Sequence, residues 1–106
     1  MSDKFLGLLG ICRKAGKLTL GAAKTTELIK QSKAEAVYVA CDISAKTEKE
    51  LRFALNKNNT AVVRTPYSIE QISKAIGIPA GVLGVSDKGF ATALNKLIVG
   101  GSLNDD

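Results

Sequence analysis

Phe5, Leu8, Leu9 and Cys12 recur at i, i+3, i+4 and i+7, the stripe of an amphipathic helix, and the polar run Arg13–Lys17 ends it. Leu18–Leu20 has room for a short strand only. From Ala22 a second stripe places Ala22, Thr25, Thr26 and Ile29 on one helical face and Lys24, Glu27 and Gln31 on another. Ala36–Cys41 is apolar without alternation, which predicts a strand buried on both faces. Thr47 and Glu50 have capping-box spacing and predict a helix starting there, with Leu51, Ala54 and Leu55 inward. Ala61–Val63 is a third strand, halted by Pro66. Ser68 with Gln71 is a second capping box, opening a helix that turns Ile69, Ile72 and Ile76 to the core. Val82–Val85 is a fourth strand. Asp87 is placed to cap a last helix whose Phe90, Ala93, Leu94, Leu97 and Ile98 face inward.

Helices alternating with strands imply an α/β protein, a three-layer α/β/α sandwich around a four-stranded sheet. Pattern alone reads that sheet as parallel, although Leu18–Leu20 is too short to orient. Residues 1–99 form one domain, and 100–106 read as a frayed tail. No apolar run reaches the roughly 18 residues of a membrane span, and no membrane or targeting segment is expected. Cys12 and Cys41 lie far apart in apolar contexts, as buried free thiols do, which points to the cytoplasm.

Charge changes the picture once it is mapped. Residues 1–33 hold seven basic side chains (Lys4, Arg13, Lys14, Lys17, Lys24, Lys30 and Lys33) against Asp3 and Glu27, whereas residues 34–106 hold eight of each sign. The whole net charge of +5 therefore falls in the first third. A surface that neutralises phosphates needs this asymmetry. A solvated basic face with no ligand is the plainer alternative.

The residue types exclude much chemistry. The chain has no histidine, and its two separated cysteines cannot form a metal cage. Glu48 and Glu50 face different sides of their helix, and Glu48 is spaced to pair with Arg52. No group is placed to activate a serine, threonine or thiol, so no catalysis, cofactor or small-molecule substrate is expected. Gly16 and Gly21 have the spacing of a phosphate-binding loop, but Ala22 and Ala23 follow where lysine and serine or threonine are required. Lys24 arrives two residues late, about 200° around the helix.

A structured RNA fits better. Gly21 opens a helix whose first amides, at Gly21, Ala22 and Ala23, have no helical acceptors, and a residue without Cβ lets a phosphate approach them. Arg13, Lys14 and Lys17 precede this tip, Lys24 lies in its first turn, and Lys30 ends the helix. With five aromatic residues, most at apparent core positions, there is no platform for successive single-stranded bases. A protein-interaction module and a small nucleotide-binding domain remain the alternatives.

The order of elements and the stretches RKAGKLTLGAAKTTELIK, AVYVACDIS and KAIGIPAGVLGVSDKGFA resemble the kink-turn-binding ribosomal protein family named L-seven-Ae, in its small bacterial YlxQ-like branch, from about Phe5 to Leu97. The resemblance implies a mixed sheet, no catalysis, a ribosomal or regulatory RNA partner, a monomer, and recognition of a sharply bent RNA containing sheared G·A pairs. In that family an Asn–Glu pair after the glycine reads guanine edges, with a lysine nearby. By position Gly21 matches the glycine, Ala23 falls on the asparagine, Lys24 on the glutamate and Glu27 on the lysine. Alanine cannot make the edge bonds, and lysine donates where glutamate accepts. The family's apolar loop against an extruded base corresponds to Ile78, Pro79 and Ala80 with Gly81. Asp42 also matches a family residue, and capping of the helix that follows it explains it equally well.

Overall fold

A computed structural model describes residues 3–55 and 60–101. The elements run α1 (Lys4–Lys14), β1 (Leu18–Leu20), α2 (Ala22–Lys30), β2 (Ala36–Val39), α3 (Ala45–Leu55), β3 (Val62–Arg64), α4 (Ile69–Ile76), β4 (Val82–Val85) and α5 (Lys88–Asn95), continued by a π-helical stretch, Lys96–Gly101. That stretch takes in the first two residues of the expected tail, and 102–106 lie outside the described residues. Among the described residues no helix is long and apolar enough to cross a membrane.

The sheet has the order β1-β4-β2-β3. Only β2 and β3 are parallel; β4 runs antiparallel to both of its neighbours, with Leu20 opposite Leu83 and Val39 opposite Val82. The parallel sheet read from pattern is thus corrected to a mixed one, as the resemblance implied. The cause lies between β3 and β4, where the chain stays at one end of the sheet. The Cys41 N–H donates to the Tyr67 carbonyl (2.8 Å) and the Ala40 N–H to the Gly81 carbonyl (2.9 Å). The chain therefore enters β4 from the end at which β2 and β3 stop.

Alternation along β2 builds the three layers. Ala36, Tyr38 and Ala40 join Phe5, Leu9, Ile72, Leu83 and Leu94 beneath α1, α4 and α5, while Val37 and Val39 join Ile29, Leu51, Leu55 and Val62 beneath α2 and α3. Phe5 meets Tyr38 edge-on at 5.3 Å and stacks on Tyr67 at 5.6 Å. The Tyr38 hydroxyl donates to Asn95 Oδ1 at 2.5 Å. Burial pushes the Cys12 thiol up to about 11, with Asp87 adding to it. Cys41 is a half-buried free thiol.

Helix starts follow short-range hydrogen bonding. Asp87 accepts from the Phe90 N–H (2.9 Å), and Ser68 with Gln71 forms a complete capping box. The start of α3 differs from the Thr47–Glu50 reading. Ser44 Oγ accepts the Thr47 N–H (3.1 Å), so Thr47 is the third residue inside a helix that begins at Ala45. β3 likewise lies one residue later than Ala61–Val63. Asp42 caps α4, reached across space through the Ile69 N–H at 2.8 Å, rather than the helix that follows it in sequence.

Candidate nucleic-acid interface

The end of β1 hands the chain to α2 through Gly21, whose φ of 93° and ψ of 156° suit glycine and strain any other residue. The Gly21 N–H donates to the Val82 carbonyl (2.8 Å), which ties the tip of α2 to the start of β4. The first intrahelical bond is Thr25 N–H to the Gly21 carbonyl (3.0 Å), and no side chain caps this end. The amides of Ala22, Ala23 and Lys24 precede the helical ladder, and all three residues are exposed. Thr25 and Ile29 are the residues α2 buries. They seat closely because β4 carries Gly84, where a Cβ would come within 3.1 Å of Thr25 Cγ2 and 3.2 Å of Leu28 Cδ2.

The loop between α4 and β4 meets the same sheet end, since Gly81 and Val82 bond to Ala40 and Gly21. Ile78 (37% exposed) and Pro79 face solvent. Ala80 is buried, held by its N–H to Ser73 Oγ at 3.0 Å, so the exposed apolar surface is shorter than the expected Ile78–Ala80. Arg13 flanks this loop. Its Nη1 donates to the Ile76 carbonyl at 3.1 Å, which satisfies an acceptor at the end of α4 and leaves the residue exposed.

The other cations are distributed rather than gathered at the tip. Lys14 is exposed at the last residue of α1. The Lys17 carbonyl accepts from the Ser86 N–H (3.1 Å), at the end of β1 opposite Gly21 and roughly 13 Å of extended chain away. Lys30 closes α2, about 12 Å along the axis from Ala22. Glu27 is exposed one turn beyond Ala23 and Lys24 on α2. The geometry therefore brings together Gly21–Lys24, Ile78 and Pro79, with Arg13 beside the loop. Lys17 and Lys30 lie at the opposite ends of β1 and α2 from the tip.

Electrostatics favour an anion at the tip, where the α2 start is uncapped and Lys24 is exposed. Four carboxylates are engaged within the fold: Asp42 and Asp87 cap helices, Asp3 accepts from the Leu6 N–H (3.2 Å) and the Tyr67 hydroxyl (3.0 Å), and Glu48 pairs with Arg52 (2.6 Å) and Arg64 (3.4 Å). Among the described residues no lysine or arginine of 3–33 is in an ion pair. Among them, too, no three His, Cys, Asp or Glu are grouped as metal ligands would be.

Sequence reasoning missed one exposed feature away from this tip. Phe53, grouped with the other aromatics as mostly core, is 73% exposed on α3. Helical periodicity held the signal, because Phe53 falls opposite Leu51 when Leu51, Ala54 and Leu55 face inward.

Known proteins of similar sequence and shape agree with this architecture. The chain is 35% identical over 102 residues to the RNA-binding protein YlxQ of Enterococcus faecium, covering 92% of this chain and 94% of that one. A solved structure of a protein with unknown function from Bacillus halodurans C superposes with a TM-score of 0.86 at 26% identity, covering 92% and 98% of the two chains. The Giardia lamblia 15.5kD RNA binding protein shares the fold, with a TM-score of 0.76 at 16% identity over 92% and 90% of the chains. The family model of the ribosomal protein L7Ae/L30e/S12e/Gadd45 family matches residues 3–95, and the chain belongs to that family.

Proposed function

We propose that this protein is a non-enzymatic RNA-binding protein that seats a sharply bent, kink-turn-like RNA on the open tip of α2, within a ribosomal or other ribonucleoprotein particle. The observation that carries this reading is the tip itself, with no capping side chain and exposed Ala22, Ala23 and Lys24. Phosphate oxygens would accept from these amides, where the helix dipole also favours negative charge. Lys24 supplies a full charge within the same turn, and Ile78 and Pro79 offer an apolar wall for a base turned out of its helix. The name of the Enterococcus relative supports RNA as the ligand.

Ala23 and Lys24 stand where the family places its guanine-reading pair, so this chain gains affinity from backbone and shape more than from G·A edges. A stem–bulge–stem RNA carrying tandem G·A pairs, titrated at several salt concentrations, tests this. Three to five phosphate contacts predict a log–log slope of about −2 to −4. Replacing the G·A pairs by Watson–Crick pairs in a helix with the same bulge should cost less than the change in salt does. A salt-independent affinity, or no binding of either RNA, would overturn the reading.

A further inference from the structure

The outer face of α3 is a second surface with a nucleic-acid chemistry. At about 100° per residue, Phe53 points away from buried Leu51, and Lys49 and Lys46 lie within about 40° of its direction on the helix. All three are exposed. Of the two carboxylates on α3, Glu48 is held beneath Arg52 and Arg64, its side chain 14% exposed against 53% and 54% for theirs. Arg64 is fixed further by its Nη2, which donates to the Cys41 carbonyl at 2.6 Å. Exposed Glu50 lies one turn from Lys46 and about 60° from Phe53, and offsets one of the two lysine charges. The result is an aromatic ring, out of the core, beside two lysines and one carboxylate, with the Arg52–Glu48–Arg64 cluster on the adjoining flank; among the described residues neither lysine is in an ion pair.

The helix that carries this face starts at the same sheet end as the open tip. α3 starts at Ala45, just past the Ala40–Gly81 bond at the sheet end where Gly21 meets Val82. Phe53 lies about 12 Å further along the helix. A ring flanked by cations is the pairing that holds an unpaired nucleotide, the base on the ring and the phosphates on the lysines. We propose that the outer face of α3 binds an unpaired nucleotide flanking the same RNA, stacked on Phe53 with its phosphates against Lys46 and Lys49. The proposal rests on the RNA-binding reading above. It makes the RNA surface two-part, with the folded element at α2 and an unpaired flank at α3.

The test compares a blunt stem–bulge–stem RNA with the same RNA extended by about ten unpaired adenosines at either end. The full chain should bind one extended RNA about ten-fold more tightly than the blunt one. Phe53→Ala and the double variant Lys46→Glu/Lys49→Glu should each remove that gain and leave blunt-RNA affinity unchanged, while Phe53→Tyr keeps it. Lys24→Glu should weaken blunt and extended RNA alike, so failure at α2 and failure at α3 read differently. Equal wild-type affinity for blunt and extended RNA would overturn the proposal with the tip reading intact. So would an equal loss on both RNAs in Phe53→Ala. Self-association of the wild type in sedimentation, abolished by Phe53→Ala with RNA affinity unchanged, would overturn it and assign the face to a second copy of the chain.

Discussion

The first turns of α2 and α4 both start from the end of the sheet where β2 and β3 stop, yet their backbone donors meet different fates. At α4 the Ile69 N–H reaches Asp42, the Gln71 N–H reaches Ser68, and the Ser68 N–H reaches Gln71 Oε1. At α2 the Gly21 N–H reaches Val82, and the next three residues follow with no capping side chain. One end is closed by its own chain and can serve only stability. The other is open, cationic and beside an apolar loop, which is the condition for binding a polyanion. The contrast shows that a helix N-terminus becomes a candidate site through what surrounds it.

Four perturbations break or sharpen this comparison. The largest effect is expected from Gly21→Ala, which has space for its Cβ but a φ of 93° to adopt. It should cost about 1–3 kcal/mol of stability and distort the tip, read as a lowered melting midpoint together with weakened RNA binding. Lys24→Glu should separate these two consequences. Its RNA affinity should fall on the order of ten-fold, and its salt slope should shrink by about 1, with stability changed by no more than about 0.5 kcal/mol.

The closed tip should give the reverse pattern. Asp42→Ala or Ser68→Ala should each cost about 1 kcal/mol in denaturant unfolding and leave RNA affinity unchanged. The smallest effect is a pH dependence on the α4 side. Tyr67, whose hydroxyl donates to Asp3, is pushed by burial and that carboxylate from 10.0 up to about 12, and Cys12 rises from 9.0 to about 11. Both groups bind their protons more tightly folded than unfolded, so the stability is complete below about pH 9 and is lost as pH rises through 11 and 12. Melting midpoints measured from pH 7 to 11 should hold level and then fall. A midpoint that rises above pH 9 would contradict the burial of these groups.

How much of this was legible in the sequence follows from the range of each interaction. Ser68 with Gln71 and Asp87 with Phe90 act across three residues, and the pattern placed both. Ser44 with Thr47 has that same spacing three residues before Thr47 with Glu50, so the local signal is doubled and spacing alone does not separate the two starts. Asp42 reaches Ile69, 27 positions on, and no local pattern carries that bond. The antiparallel entry of β4 likewise depends on residues 40–42 holding 67–81 at one end of the sheet. At the site, glycine and exposed positions marked the tip of α2, while the inward turn of Ala80 and the role of Arg13 at Ile76 arise from packing. Balanced charge over residues 34–106 concealed the α3 face, because the acids that balance it in the count are spread along the whole stretch and several cap helices or sit in ion pairs.

The central claim is that the amides of Ala22, Ala23 and Lys24 receive the RNA. Amide resonances of the full chain, followed by NMR during titration with the tandem-G·A stem–bulge–stem RNA, test it directly. The account predicts that these three move most among the helix starts, while Ile69 and Gln71 stay in place. Shifts centred on the start of α4, with the α2 amides unmoved at saturation, would contradict it.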